Sequence, residues 1–105
     1  MTTRFLPIRD VEALDELLTG AGVVVLFLHD PACPISRAAH REMARLGGDV
    51  PLVDVRYTHD VSRTIAARTG IRHESPQVIV LRDGQAIWSA SHYDITTHGV
   101  SAACS

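Results

Sequence analysis

Two cysteines carry the chemistry open to this chain, and their settings differ. Cys33 lies just beyond an apolar run at residues 23–28 and directly before Pro34. Proline suits the first position of a helix because the amide it lacks would have had no helical partner there. The Cys33 sulfur can then meet the unpaired amides of a first helical turn, where the helix dipole favours a thiolate, the form that attacks disulfides. A Cys33 pKa below that of a free thiol is expected on this ground. Ser36 stands where a Cys-x-x-Cys motif would carry its second thiol. A serine cannot close an intramolecular disulfide, but its hydroxyl can donate to the Cys33 thiolate, so the pattern reads as a monothiol site for thiol–disulfide exchange. His29 is read as a loop-edge residue near the thiol, whose charged form would favour the thiolate and whose neutral form would do little. The competing reading of Cys33 is a buried, inert small hydrophobe.

Cys104 could resolve a Cys33 mixed disulfide only if the two α-carbons came within about 7 Å, and a packed or exposed tail thiol is the plainer reading. Two cysteines are too few for a disulfide framework, and a reducing compartment would keep both as thiols. His29-x-x-x-Cys33 with His40 is the nearest thing to a metal-ligand set, but it fits no zinc spacing and Pro31 hinders convergence, so no metal is expected. Without a glycine-rich Walker or dinucleotide fingerprint, nucleotide chemistry is not expected either. A formal net charge of -2 and arginines without a basic block argue against nucleic acid. No apolar run approaches the ~20 residues of a membrane span. Met1-Thr2-Thr3-Arg4 lacks the hydrophobic region of a signal peptide, and a cytoplasmic protein is expected.

The elements around Cys33 must hold it at a helix start. At 105 residues, 46% hydrophobic and 21% charged, the chain is expected to form one globular domain over residues 1–105. Asp10 can cap a helix with Val11, Leu14, Leu17 and Leu18 on one face, ended by Gly20. The run at 23–28 is apolar without alternation, as in a strand covered on both faces. A helix from Pro34 carries Ile35, Ala38, Ala39, Met43 and Leu46 inward and closes at Gly47-Gly48. A strand at 51–56, a helix capped by Asp60 and ended by Gly70, and a hairpin around Asp83-Gly84 follow. The last helix is expected at about 95–103 with Asp94 as its cap. Strands joined by helices are expected to run parallel and the final pair antiparallel. This is a thioredoxin-like α/β fold, with a central mixed four-stranded sheet flanked by helices and an extra N-terminal helix. In such a fold Pro76, opening the strand after the third helix, is where a cis-proline faces the nucleophile and exposes the Ser75 backbone to an extended substrate.

Three segments, Cys33-Pro34-Ile35-Ser36, Thr69-Gly70-Ile71-Arg72-His73-Glu74-Ser75-Pro76-Gln77, and Ser89-Ala90-Ser91-His92 with Asp94-Ile95-Thr96, resemble the monothiol bacilliredoxins. These are thioredoxin-like proteins of the bacillithiol redox system, and the likeness runs from about residue 24 to 97. It implies an oxidoreductase in which Cys33 attacks protein–bacillithiol mixed disulfides, takes the bacillithiol onto itself, and is freed by a second bacillithiol or a partner thiol. Its partners would be bacillithiolated or disulfide-containing proteins and a low-molecular-weight thiol. The resemblance also implies that Pro76 is cis. Ala32 stands where the family usually has Thr, and Cys104 is not a family feature. The malate part of bacillithiol carries two carboxylates, and the start of the last helix, with Ser91 and His92, is expected to bind them through its amides. Two other classes compete. One is an iron–sulfur carrier of the monothiol glutaredoxin type, disfavoured because Pro34-Ile35 replaces the Gly-Phe of such carriers; the other is a non-catalytic thioredoxin-like adaptor.

Overall fold

A computed structural model describes residues 2–105. Its elements run β1 (Thr3–Pro7), α1 (Val11–Thr19), β2 (Val23–His29), α2 (Pro34–Ala44), β3 (Gly48–Asp54), α3 (His59–Thr69), β4 (Gln77–Arg82), β5 (Gln85–Ser91), a 3-10 turn (His92–Asp94) and α4 (Thr97–Ala103). The five strands form one sheet in the order β1-β3-β2-β4-β5, with β2 at its centre.

The lack of alternation in β2 has the expected cause. Val25 and Phe27 point into a core shared with Ala39, Met43 and Val100 of α2 and α4, and Leu26 and Leu28 into a second core with Leu14, Leu18, Val61 and Ile65 of α1 and α3. Strand β4 divides likewise, Val78 and Val80 to the first core and Ile79 and Leu81 to the second. The period of two thus puts apolar residues on both faces of a covered sheet.

Several local expectations hold at the residue level. Asp10 caps α1 by accepting from the Ala13 amide at 2.8 Å, and Gly70 ends α3 in the left-handed region at φ 73°. Asp83 and Gly84 both take positive φ, 51° and 79°, as a two-residue hairpin of this twist requires. Gly84 is also needed for space, since a Cβ there would lie 2.0 Å from the Leu18 carbonyl oxygen.

Three features depart from the sequence reading. A fifth strand, β1, adds to the edge of the sheet, parallel to β3. Strand β4 runs antiparallel to β2 although a helix precedes it. Eleven residues of α3 carry the chain about 16 Å, and an extended stretch at 70–76 can carry it back over a similar distance, so β4 starts at the end where β3 finished. The last helix is capped by Thr96, whose side chain accepts from the Gly99 amide at 3.0 Å, while Asp94 lies in the 3-10 turn; likewise Thr58, not Asp60, is the N-cap residue of α3. Among the described residues no helix is long and apolar enough to cross a membrane.

Candidate functional site

Because β2 and β3 are parallel and β4 and β5 return antiparallel, the C-terminal ends of β2, β3 and β5 meet the start of β4 at one end of the sheet. Cys33 sits there as the N-cap residue of α2, half-buried, with Pro34 in the first turn. Its position is fixed by a tight turn: the Asp30 carboxylate accepts from the Ala32 amide at 2.9 Å, and the Asp30 carbonyl accepts from the Cys33 amide at 3.0 Å. Among the described residues no side chain caps the first turn of α2, which leaves its amides without a side-chain acceptor.

Ser36 is one turn into α2 and fully buried. Its hydroxyl oxygen lies 2.7 Å from His29 Nδ1 and accepts from the Asp30 amide at 2.9 Å. The hydroxyl expected to serve the Cys33 thiolate therefore braces the end of β2, and among the described residues no hydrogen bond joins it to the sulfur.

His29 is not a loop-edge residue. It is the last residue of β2, 6% exposed, and its carbonyl accepts from the Val55 amide at 3.0 Å, which extends the strand by one residue beyond the apolar run. Its ring lies 5.1 Å from that of Phe27 and 4.9 Å from that of His40, which stacks on Phe5 at 4.3 Å. Burial, followed by the neighbouring His40, pushes the His29 pKa down to about 4, outweighing the nearby Asp54 and Asp30 carboxylates. Burial also lowers His40. At neutral pH His29 is uncharged and supplies no cationic support to a thiolate.

The Ser75–Pro76 bond is cis, as expected. Gln77, the first residue of β4, pairs with Leu28 on one side and Ser91 on the other, and the His92 amide donates to the Pro76 carbonyl at 3.1 Å. This brings Ser75, Pro76, Ser91 and His92 to the same end as His29, Cys33 and Ser36. The buried Gln77 side chain, met in the sequence only as part of the segment that carries the family resemblance, holds the preceding loop by donating to the Arg72 carbonyl at 3.0 Å and accepting from the Glu74 amide at 3.3 Å. A polar residue opening an otherwise apolar strand was the available signal.

Two of the amides at the start of α4, those of Thr97 and Gly99, are not free for an anion. The Thr97 amide donates to the Glu42 carboxylate at 2.8 Å and the Thr97 hydroxyl to the Glu42 carbonyl at 2.8 Å, while the Gly99 amide is taken by Thr96. The Thr97 amide and the Thr97 hydroxyl, 2.8 and 3.1 Å from Glu42 Oε1, hold the Glu42 carboxyl below its usual range.

Cys104 lies away from this group. It closes α4, packs against the core under α2 and α4, and feels Arg82 at the far end of β4. The six residues of β4 put that end about 20 Å from the cis-proline, well beyond the ~7 Å a disulfide allows. Burial raises its thiol pKa.

Two clefts flank α2: one of about 430 Å³ between α2 and the 3-10 turn, lined among others by Glu42, His92, Tyr93 and Thr96, and one of about 310 Å³ lined by His29, Pro31, Arg37, His40 and Arg41. No group of three or more His, Cys, Asp or Glu side chains among the described residues is placed to hold a metal ion.

The family model described as monothiol bacilliredoxin BrxC matches residues 6–100. Among solved structures, a protein described by its thioredoxin fold superposes with a TM-score of 0.90 at 24% identity, over 94% of this chain and 92% of that one. The thioredoxin of Trypanosoma brucei brucei gives 0.78 at 11% identity, over 95% and 87%. That of Malassezia sympodialis gives 0.68 at 20% identity, over 99% and 88%. At these identities the superpositions speak for the fold alone.

Proposed function

This chain belongs to the monothiol bacilliredoxin family, and from that premise we propose that Cys33 is its one exchanging thiol, removing bacillithiol from protein mixed disulfides. The family makes it a bacilliredoxin-like thiol–disulfide oxidoreductase of thioredoxin fold that uses bacillithiol. The Cys33 thiolate attacks the bacillithiol sulfur of the mixed disulfide. A Cys33–bacillithiol disulfide forms as the sulfur–sulfur bond of the mixed disulfide breaks, and the departing protein thiolate takes a proton from water. A second bacillithiol thiolate then attacks the adduct, releasing oxidised bacillithiol and restoring the Cys33 thiolate. Over the cycle one mixed disulfide and one bacillithiol thiol enter, and one bacillithiol disulfide and one protein thiol leave, so the exchange is electron-neutral.

The observation that carries this reading is the pairing of a half-buried N-cap cysteine with a serine one turn on. The uncapped first turn favours thiolate at Cys33, and Ser36 cannot displace the adduct from inside. In this reading Pro34 fixes the helix start, Ser36 and His29 are positioning residues that brace the turn from below, and the substrate chain lies along Ser75, Pro76, Ser91 and His92. The substrates are bacillithiolated or disulfide-containing proteins, and the need for an outside thiol assigns the protein to a reducing cytoplasm. One domain spanning the chain performs the whole cycle.

A peptide carrying a bacillithiol mixed disulfide, mixed with this protein and excess bacillithiol, tests it. Free peptide thiol is expected to appear with the native chain, and with Cys33→Ser only at the uncatalysed rate. Release by Cys33→Ser at the native rate would overturn the assignment.

A further inference from the structure

Bacillithiol brings a requirement that the site around Cys33 and the cis-proline does not meet. Its malyl end carries two carboxylates, and two of the amides expected to receive them at the start of α4, those of Thr97 and Gly99, are already bonded to Glu42 and Thr96. A dianion needs cations, and α2 supplies them at helical spacing: Arg37, Arg41 and Arg45 follow one another at four-residue intervals.

Their partners separate the three. Arg45 pairs with Glu42 at 3.2 Å. Arg37 spends one nitrogen on the Pro31 carbonyl at 3.3 Å, and Arg41 has no carboxylate partner among the described residues. Arg37 and Arg41 wall the 310 Å³ cleft with His29, Pro31 and His40. Both histidines are uncharged at neutral pH, so the two guanidinium groups set the charge of the cleft. The nearest carboxylates are spoken for: Asp30 faces the Ala32 amide and Arg56, and Glu42 faces Thr97 and Arg45 on the other side of α2. The larger cleft also reaches Arg41, but Glu42 lines it and would oppose a dianion.

Distance agrees. Arg37 and Arg41 stand about 6 and 12 Å along the helix axis from Cys33, bracketing the roughly 10 Å from the thiol sulfur of bacillithiol to its carboxylates. We propose that the cleft walled by Arg37 and Arg41 holds the malyl dicarboxylate of bacillithiol while its sulfur reacts at Cys33, so that these two arginines set the preference for this thiol over uncharged or smaller ones. Guanidinium groups suit the task because each can grip a carboxylate through two parallel hydrogen bonds.

The inference rests on the function proposed above, and its test separates the two. One peptide is prepared as its bacillithiol and as its cysteine mixed disulfide, and KM and kcat are measured for both with the native chain, Arg37→Gln/Arg41→Gln, and Arg63→Gln, an exposed α3 arginine, as control. In the double variant KM for the bacillithiol form is expected to rise at least about tenfold, against about twofold or less for the cysteine form. Arg63→Gln should change neither, and Arg37→Lys/Arg41→Lys should recover part of the loss. An equal rise for both peptides, or none for the bacillithiol form, overturns the cleft assignment. Failure of the native chain to release bacillithiol from the bacillithiol form of the peptide would instead overturn the underlying function.

Discussion

Cys33 and Cys104 are both half-buried and both stand at a helix end, yet they occupy opposite poles. Cys33 precedes the first turn of α2, whose amides and positive dipole end favour an anion. Cys104 follows the last turn of α4, where the carbonyls and the negative end disfavour one, and burial raises its pKa further. In the proposed cycle, position on the helix rather than exposure is what separates the exchanging thiol from the packing one.

The largest effect that could break this contrast is on alkylation. With iodoacetamide at pH 7, Cys33 is expected to react at least about tenfold faster than Cys104, read as the order in which two tryptic peptides gain mass. Comparable rates would remove the distinction. In bacillithiol release, Cys104→Ser should stay within about twofold of the native rate, because the tail thiol lies beyond disulfide reach.

The bracing beneath Cys33 supports a smaller prediction. Ser36→Ala leaves the Asp30 amide and the His29 ring short of a partner in a buried place, and about 1–3 kcal/mol of unfolding free energy should be lost in a urea titration. His29 adds a pH signature. Its folded pKa of about 4 lies below the ordinary 6.5, so on acidification the unfolded chain takes up a proton before the folded one does. Stability should fall from about pH 6.5 to 4 and the contribution level off below, and His29→Gln should flatten that slope; an unchanged slope would contradict a buried neutral ring. The smallest effect concerns the Cys104 pole. Thr96→Ala removes the α4 cap and should cost about 1 kcal/mol while making Cys104 easier to alkylate, with Cys33 unaffected.

How far the sequence alone revealed this arrangement depends on the range of the forces involved. Local signals read well: the Asp10 cap, the Asp83-Gly84 turn, the uninterrupted apolar run of β2 and Pro34 after Cys33 all act within a few residues. Strand β1 escaped because its five residues show no alternation and gain their partners only from β3, more than forty residues on. The direction of β4 depended on how far the 70–76 loop travels back. At the site, the helix-start position of Cys33 and the cis bond at Pro76 were legible, while the partners of Ser36, which are His29 and the Asp30 amide rather than the thiol, were not. The neutral state of His29 and the Glu42–Thr97 bonds were not, since burial and contacts across 55 residues create them. The Arg37–Arg41 spacing was visible all along, but its meaning needed the α4 amides to be seen occupied.

The most direct measurement of the central claim is peptide mapping by mass spectrometry after brief reaction of the reduced protein with a bacillithiolated peptide. One bacillithiol adduct is expected, on the tryptic fragment containing Cys33, and none on the fragment containing Cys104. An adduct on Cys104 with Cys33 left free would contradict it.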